Sequence, residues 1–378
     1  MGTSRRTKAK ANARKNARTQ IIVATGISGC GRKEYLEAWE RYAKRRGKKV
    51  KIFSVGDLIF KHAEAIGMTL NPENILNVNL DTLQALRSAV LTRILDEVED
   101  AKYDTAIICV HGWFFWKKRL MVGMDRFLNQ FQPDMFLSFI DDFRNILNRL
   151  DTRPQWRGEE LSMSEILLWQ NAEVELTALL AELQRKPFFT VPTCQPTSTL
   201  YKLVFHPEIE PVYVAMPISH FRDPADRKRI DRFIKRLDRY FTVFNPLSVE
   251  VVGAVEIRKN KQEFMANLPV YHHIVYRDLR WFVRGVKKII VFWPRPKPPA
   301  AFAKNKKLAA LWPETVPSPG ADHETHVAFT EGKDVWVVFL PKKASPFITH
   351  YSTGMFQSEN EFFRFLAKTY PERATYKW

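Results

Sequence analysis

Apolar residues along this chain fall into short dense runs. Between the runs lie longer stretches where they recur every three or four positions, the signature of buried strands alternating with amphipathic helices. Strands are predicted at 20–25 (QIIVAT), 49–54, 105–110 and 135–140, with a short fifth at 188–191. Helices are predicted at 32–46, 79–100, 143–150 and 162–184; in the second, Leu80, Leu83, Leu86, Val90, Leu91 and Ile94 follow helical spacing. A second alternating series has strands at 212–216, 242–244, 288–293 and 335–340 and helices at 224–239, 271–283, 324–331 and 359–367. Such alternation implies α/β architecture, here two doubly wound parallel-sheet domains with helices on both faces. Residues 192–210 hold Pro, Thr, Ser and His without periodicity and read as a linker. The expected division is a basic tail at 1–19, domains at 20–191 and 211–378, and the linker between them. A Pro/Lys/Ala-rich stretch at 294–317 reads as a long loop, of the kind usually functional or mobile.

Charge changes this picture most. The formal net charge of +18 favours anionic partners: nucleotides, phosphates or nucleic acid. Arg5, Arg6, Lys8, Lys10, Arg14, Lys15 and Arg18 make the tail basic and polar, unlike a secretory signal. It is expected to be disordered and is the natural tether for nucleic acid. The helical stretches 41–51 and 227–239 are also basic and read as solvated faces. No apolar run approaches the ~18–20 residues of a membrane span. The three cysteines, Cys30, Cys109 and Cys194, lie far apart and form no CxxC pair. That argues against a disulfide framework or structural zinc and for a reducing, cytoplasmic setting.

The first candidate site is Gly26-Ile-Ser-Gly-Cys-Gly31, between a strand and a helix. Glycines let backbone N–H groups turn inward onto phosphate oxygens, and the helix N-terminus adds a favourable dipole. Gly26, Gly29 and Gly31, with Arg32 and Lys33, resemble the GxxxxGK[ST] loop of adenylate-kinase-like P-loop kinases. The resemblance implies a nucleotide such as ATP, with Mg²⁺, at this loop. Two positions depart from it: Arg32 stands in the lysine's place, and Lys33 where a hydroxyl would hold Mg²⁺. Asp57, after the second strand, stands where such kinases contact the acceptor, and His111 where a metal-associated acid is commoner. Arg144, Arg149, Arg153 and Arg157 stand where a lid supplies arginines.

Three segments carry the second site: a strand running from Val212 and Tyr213 into a turn with Ser219, His220 and Arg222; Tyr276-Arg-Asp-Leu-Arg-Trp281; and Ser318-Pro-Gly-Ala-Asp-His-Glu324 before a helix and the strand after Gly332-Lys333. Together, and in this order, they resemble the nucleoside 2′-deoxyribosyltransferases and their relatives that hydrolyse deoxynucleoside 5′-monophosphates. The resemblance implies Glu324 as the carboxylate that attacks the anomeric carbon, Asp278 as the group that orients or protonates, and Tyr213 as the residue positioning the carboxylate. Ser318, where the transferases carry an acid, implies a 5′-monophosphate. Gly320, and Ser219 or Arg222 nearby, are expected as further phosphate and sugar contacts. Thr349 matches a hydroxyl that such enzymes lend to a neighbouring subunit, which implies a homodimer. No metal or cofactor is implied for the glycosidic chemistry.

Each residue also has a plainer reading: Glu324 as an acid near a helix start, Asp278 as a partner of Arg277 or Arg280, Tyr213 as a core aromatic, Ser318 as a cap. His272, His273 and His326 form no convincing ligand set. Four functions follow: an enzyme cleaving or transferring the N-glycosidic bond of a nucleoside 5′-monophosphate, with NAD⁺ left open as a substrate; a nucleotide sensor without turnover; a nucleic-acid-associated protein tethered by its basic tail; and a kinase acting through the N-terminal loop.

Overall fold

The computed structural model describes residues 18–124, 132–218, 224–245, 247, 265–296, 298, 304, 305, 307 and 315–378. The chain divides into two compact units between Thr193 and Cys194.

The first unit is a five-stranded parallel sheet in the order β2-β3-β1-β6-β7. Its strands are β1 (Gln20–Thr25), β2 (Val50–Ser54), β3 (Thr105–Cys109), β6 (Met135–Ile140) and β7 (Phe188–Pro192). β1, β3 and β6 are buried almost throughout, which their unbroken apolar runs require of a sheet covered on both faces. The helices are α1 (Arg32–Lys44), α2 (Val55–Ala65), α3 (Leu80–Ala101), α4 (Phe143–Asp151), α5 (Pro154–Arg157) and α6 (Met163–Leu183). α6 opens with a capping box in which Ser162 and Glu165 satisfy each other's backbone N–H groups. Between β3 and β6, where no element is predicted, lies a hairpin of β4 (Trp113–Trp116) and β5 (Arg119–Val122). Its turn residues Lys117 and Lys118 both have positive φ, 48° and 61°, the geometry of a tight hairpin without the usual Asn-Gly signal.

The second unit holds another five-stranded parallel sheet, β12-β11-β10-β8-β9. It comprises β8 (Pro211–Ala215), β9 (Thr242–Phe244), β10 (Lys288–Trp293), β11 (Asp334–Phe339) and β12 (Gly354–Phe356). Counted within the unit, the order is 2-1-3-4-5, with its switch point between β8 and β10. Helices are α7 (Thr197–Phe205), α8 (Pro224–Leu237), α9 (Leu268–Tyr276), α10 (Pro319–Thr330), α11 (Pro346–His350) and α12 (Glu359–Thr369). Stacked rings of Phe233 and Phe292, with centroids 3.9 Å apart, join α8 to the sheet.

Three expectations change. The segment 192–210 contains α7, whose Leu200 and Lys202 are fully buried; Lys202 donates to Asp238 and to the Phe241 carbonyl. The helix read as beginning at Glu324 begins at Pro319, with Ser318 as its N-cap, a Ser-Pro start that sequence rules favour. The helix read over 271–283 is α9 followed by a π-helical turn, Arg277–Val283. The expected tail up to residue 17 lies outside the described residues, as do most of the 294–317 loop and both Ser219 and Arg222. Among the described residues no helix is long and apolar enough to cross a membrane.

Candidate functional site

The N-terminal loop has the expected backbone form. Gly29 and Gly31 each adopt φ of 81°, which side-chain-bearing residues rarely tolerate. A Cβ on Gly26 would lie 2.9 Å from Cys30 Sγ and 3.0 Å from the Phe139 carbonyl, so the loop is packed as well as turned. Burial pushes the Cys30 thiol up to about 11, leaving it protonated and unreactive. α1 opens at Gly31 with no side-chain cap, so first-turn N–H groups remain for an anion.

The charged groups around this loop turn onto the protein itself. Arg32 Nη1 donates to the Ala24 carbonyl at 2.9 Å and the Val110 carbonyl at 2.5 Å, tying the ends of β1 and β3 together. Lys33 Nζ lies 3.3 Å from Asp57 Oδ2. Arg149 donates to Gly29 O at 2.8 Å and pairs with Asp141 at 2.6 Å; Arg144 pairs with Asp142 at 2.8 Å. Arg157 Nε donates to the Asp151 carbonyl at 3.3 Å. The loop therefore fits a phosphate, but an ammonium at position 33 cannot replace the hydroxyl that would hold Mg²⁺.

Glu173, not singled out in the sequence, anchors the loop. Its buried carboxylate accepts N–H bonds from Gly26 at 3.0 Å, Gly112 at 2.8 Å and Trp113 at 2.7 Å. Burial raises its pKa; the three N–H bonds and Arg32 act in the opposite direction. A signal existed: Gln170, Glu173 and Thr177 are polar residues on the apolar stripe of α6 with Ile166, Val174 and Ala181. Arg87 carries the same signal among the buried leucines and valines of α3.

Beside the loop is a cavity of about 230 Å³ whose polar wall is Ser28, Asp57, Arg87, His111, Arg153 and Gln155. The buried Nδ1 of His111 has no hydrogen-bond partner among the described residues. Its pKa is held well below the usual histidine value, first by burial, then by Arg32, Arg87 and Arg153; the Gly26 backbone opposes this. The ring is a neutral polar group facing a basic pocket.

In the second unit, three of the expected residues come together. Tyr213 on β8 is fully buried and donates its hydroxyl to Glu324 Oε1 at 2.8 Å. The Tyr213 ring stacks on Phe282, centroids 5.9 Å apart and planes 5° from parallel. Glu324 lies in the second turn of α10 and faces the sheet, not at the helix start that the plainer reading required. Burial, then the charge of Asp278, pushes the Glu324 carboxyl well above the usual range, against the Tyr213 hydrogen bond and Arg277. Asp278, at the start of the π-helical turn, is also raised by burial, against the guanidinium of Arg277. Arg277 itself is 1% exposed and donates to Asp278 Oδ1 at 2.9 Å. A π-helical turn widens the local spacing and often marks a functional position. Here it carries Arg277 and Asp278 to the site and Phe282 to the tyrosine. The arrangement holds two acidic carboxyls, one cation and one phenol in buried, low-dielectric surroundings, so the pair favours a single negative charge.

Ser318 is buried and its Oγ accepts the Ala321 N–H at 3.3 Å, which leaves its O–H free to donate. Gly320 is exposed, and a Cβ there would meet nothing within 4 Å, so the site does not require glycine at this point for space. Thr349 is exposed on α11 and donates to the Ser345 carbonyl at 3.3 Å, apart from the Tyr213–Glu324 pair. A larger cavity of about 600 Å³ runs along the outer positions of α10; its walls include Asp322, His323 and His326 with Trp293, Phe347 and Tyr351. Among the described residues no three His, Cys, Asp or Glu side chains converge as a metal site.

A family model described as an AAA domain matches residues 25–166, from the end of β1 through the loop to the start of α6. No curated protein matches the chain. Among solved structures, the chain is similar to TT1252 from Thermus thermophilus at 14% identity, covering 47% of this chain and 89% of that one, with a TM-score of 0.29. It is similar to a shikimate kinase from Acinetobacter baumannii in complex with shikimate at 12% identity, covering 51% and 96%, TM-score 0.32. A deoxyadenosine kinase from M. mycoides with products bound gives 14% identity, covering 50% and 98%, TM-score 0.27. The glycine loop and the parallel strand order around it agree with the AAA-domain match over residues 25–166.

Proposed function

We propose that the C-terminal unit cleaves the N-glycosidic bond of a nucleoside 5′-monophosphate, by hydrolysis or by transfer to another base. The observation that carries this reading is the buried Tyr213–Glu324 hydrogen bond of 2.8 Å, with Asp278 close enough to raise the glutamate's pKa. Breaking a C–N glycosidic bond needs one carboxylate to trap an electron-poor anomeric carbon and one acid to protonate the departing base. Two carboxyls sharing a negative charge supply both. Glu324, ionised, attacks C1′; the C–N bond breaks, and its electron pair leaves with the base nitrogen. In the form with Glu324 ionised, the proton shared by the pair sits on Asp278 and goes to that base. Water, or a second base, then gives its proton to the Asp278 carboxylate, attacks C1′ and releases Glu324 as a carboxylate, the logic of a retaining glycosidase. Tyr213 holds the carboxylate in place and Ser318 offers its O–H to the phosphate.

The test is release of free base, followed by chromatography, from a panel of ribo- and deoxynucleosides, their 5′-monophosphates and NAD⁺. Release from a monophosphate and not from its nucleoside is the expected result. A nucleotide that binds without releasing base favours the sensor reading.

A second reading concerns the N-terminal unit, which we infer binds a nucleotide or similar phosphate as regulator or second substrate. It rests on the cavity beside the loop, where Arg87, Arg153 and Asp57 face a neutral His111. The positions of Arg32 and Lys33 argue against efficient Mg²⁺-dependent phosphoryl transfer there. Calorimetric titration of nucleotides with and without Mg²⁺ tests this; binding indifferent to Mg²⁺ is expected.

A further inference from the structure

α8 and α12 of the second unit form a basic groove that neither candidate site uses. An α-helix turns about 100° per residue, so Arg229, Arg232, Arg236 and Arg239 of α8 and its C-terminal extension fall within roughly 80° of arc. Asp231 and Asp238 point more than roughly 100° from the centre of that face. Asp238 is in any case bound to Lys202, and Glu359 to Arg229. Between the helices lies a concavity of about 500 Å³ lined by Arg236, Arg239, Arg364, Asn360, Tyr240 and Phe363, none of them acidic. Arg236 is held with its guanidinium 3.8 Å above the Phe363 ring, and Arg364 Nε lies 3.4 Å from the Asn360 carbonyl. Among the described residues none of these three guanidiniums pairs with a carboxylate.

We propose that this groove binds the phosphate backbone of a nucleic-acid strand. Arginine forks pair with phosphate oxygens in two-point contacts, and like charges crowded in a groove are stabilised by a polyanion that releases its counterions. Tyr240 and Phe363 are buried, so they support the arginines and offer no stacking face for bases. Binding is therefore sequence-independent. The chain's +18 charge adds long-range attraction. The assignment is independent of the glycosidic reading and of the basic tail.

The experiment is fluorescence anisotropy of labelled single-stranded and duplex DNA oligonucleotides with the full chain, across a salt series. The R236E/R239E/R364E variant is expected to bind at least about tenfold more weakly at low salt, and its slope of log K against log[salt] to flatten by roughly 2–3. Because Arg236 supports Phe363, R239E/R364E provides a second variant, with an unchanged thermal midpoint as the folding control. Deleting residues 1–17 is expected to weaken binding without abolishing the difference between wild type and variant. Three results overturn the proposal: reversal variants that bind like wild type; binding that vanishes entirely with the tail; or a groove-dependent affinity for anionic lipid vesicles with none for oligonucleotides.

Discussion

The two candidate sites handle charge in opposite ways. At the N-terminal loop the charged side chains turn inward: Arg32 holds two strand-end carbonyls, Arg149 holds the loop and Asp141, and Glu173 takes the Gly26 N–H. Motif spacing survives there while its reactive groups are satisfied by the protein. At Glu324 the reverse holds. Spacing in the sequence is loose, yet Tyr213, Asp278 and Arg277 come together in one buried cluster with two carboxyls raised by burial. A folded protein does not gain stability by burying such a pair.

The largest expected effect separates function from stability at the second site. Glu324→Gln should lower base release by about 10²–10⁴-fold or more. The same variant should be at least as stable as wild type near neutrality. The sign follows from the raised pKa: the buried acid favours folding below its unfolded value of 4.5 and loses that contribution as pH rises through the folded value. Urea midpoints over a pH series check this, and a variant that loses both activity and stability would make Glu324 a structural residue.

Next in size is Glu173→Ala, which orphans three N–H groups and opens a void beneath the loop. A loss of roughly 3–5 kcal/mol in the first unit is expected, read from its urea transition, with phosphate affinity falling alongside. A loss under about 1 kcal/mol would show that the loop does not depend on this anchor.

Tyr213→Phe is expected to reduce turnover by about 10–100-fold and to move the acid limb of the pH–rate profile to higher pH. The tyrosine's hydrogen bond lowers the glutamate's pKa, so removing it pushes that value further up and delays ionisation. An unshifted limb would mean that another group titrates. The smallest effect belongs to the loop: Lys33→Ser, which loses only the exposed pair with Asp57, should change stability by no more than about 1 kcal/mol while making ATP binding respond to Mg²⁺, as calorimetry would show.

Much of this was legible beforehand for a physical reason. Unbroken apolar runs such as QIIVAT and KIIVFW can only be strands of a doubly covered sheet, and the loop glycines announce a turn. The segment 192–210 misled because α7 buries Lys202 as well as Leu200, so polar composition hid a packed helix. The hairpin was hidden because lysines, not glycine, take its positive φ values. At the second site the residue types were visible but their meeting was not. Tyr213 and Glu324 are 111 positions apart, and the π-helical turn that brings in Arg277 has no sequence signature of its own.

The most direct test of the central claim is to quench the protein during turnover of a 2′-fluorinated deoxynucleoside 5′-monophosphate and map any covalent adduct by mass spectrometry. The account predicts one sugar-phosphate adduct on the peptide bearing Glu324, absent from Glu324→Gln. Base released with no adduct, or an adduct on Asp278, would contradict it.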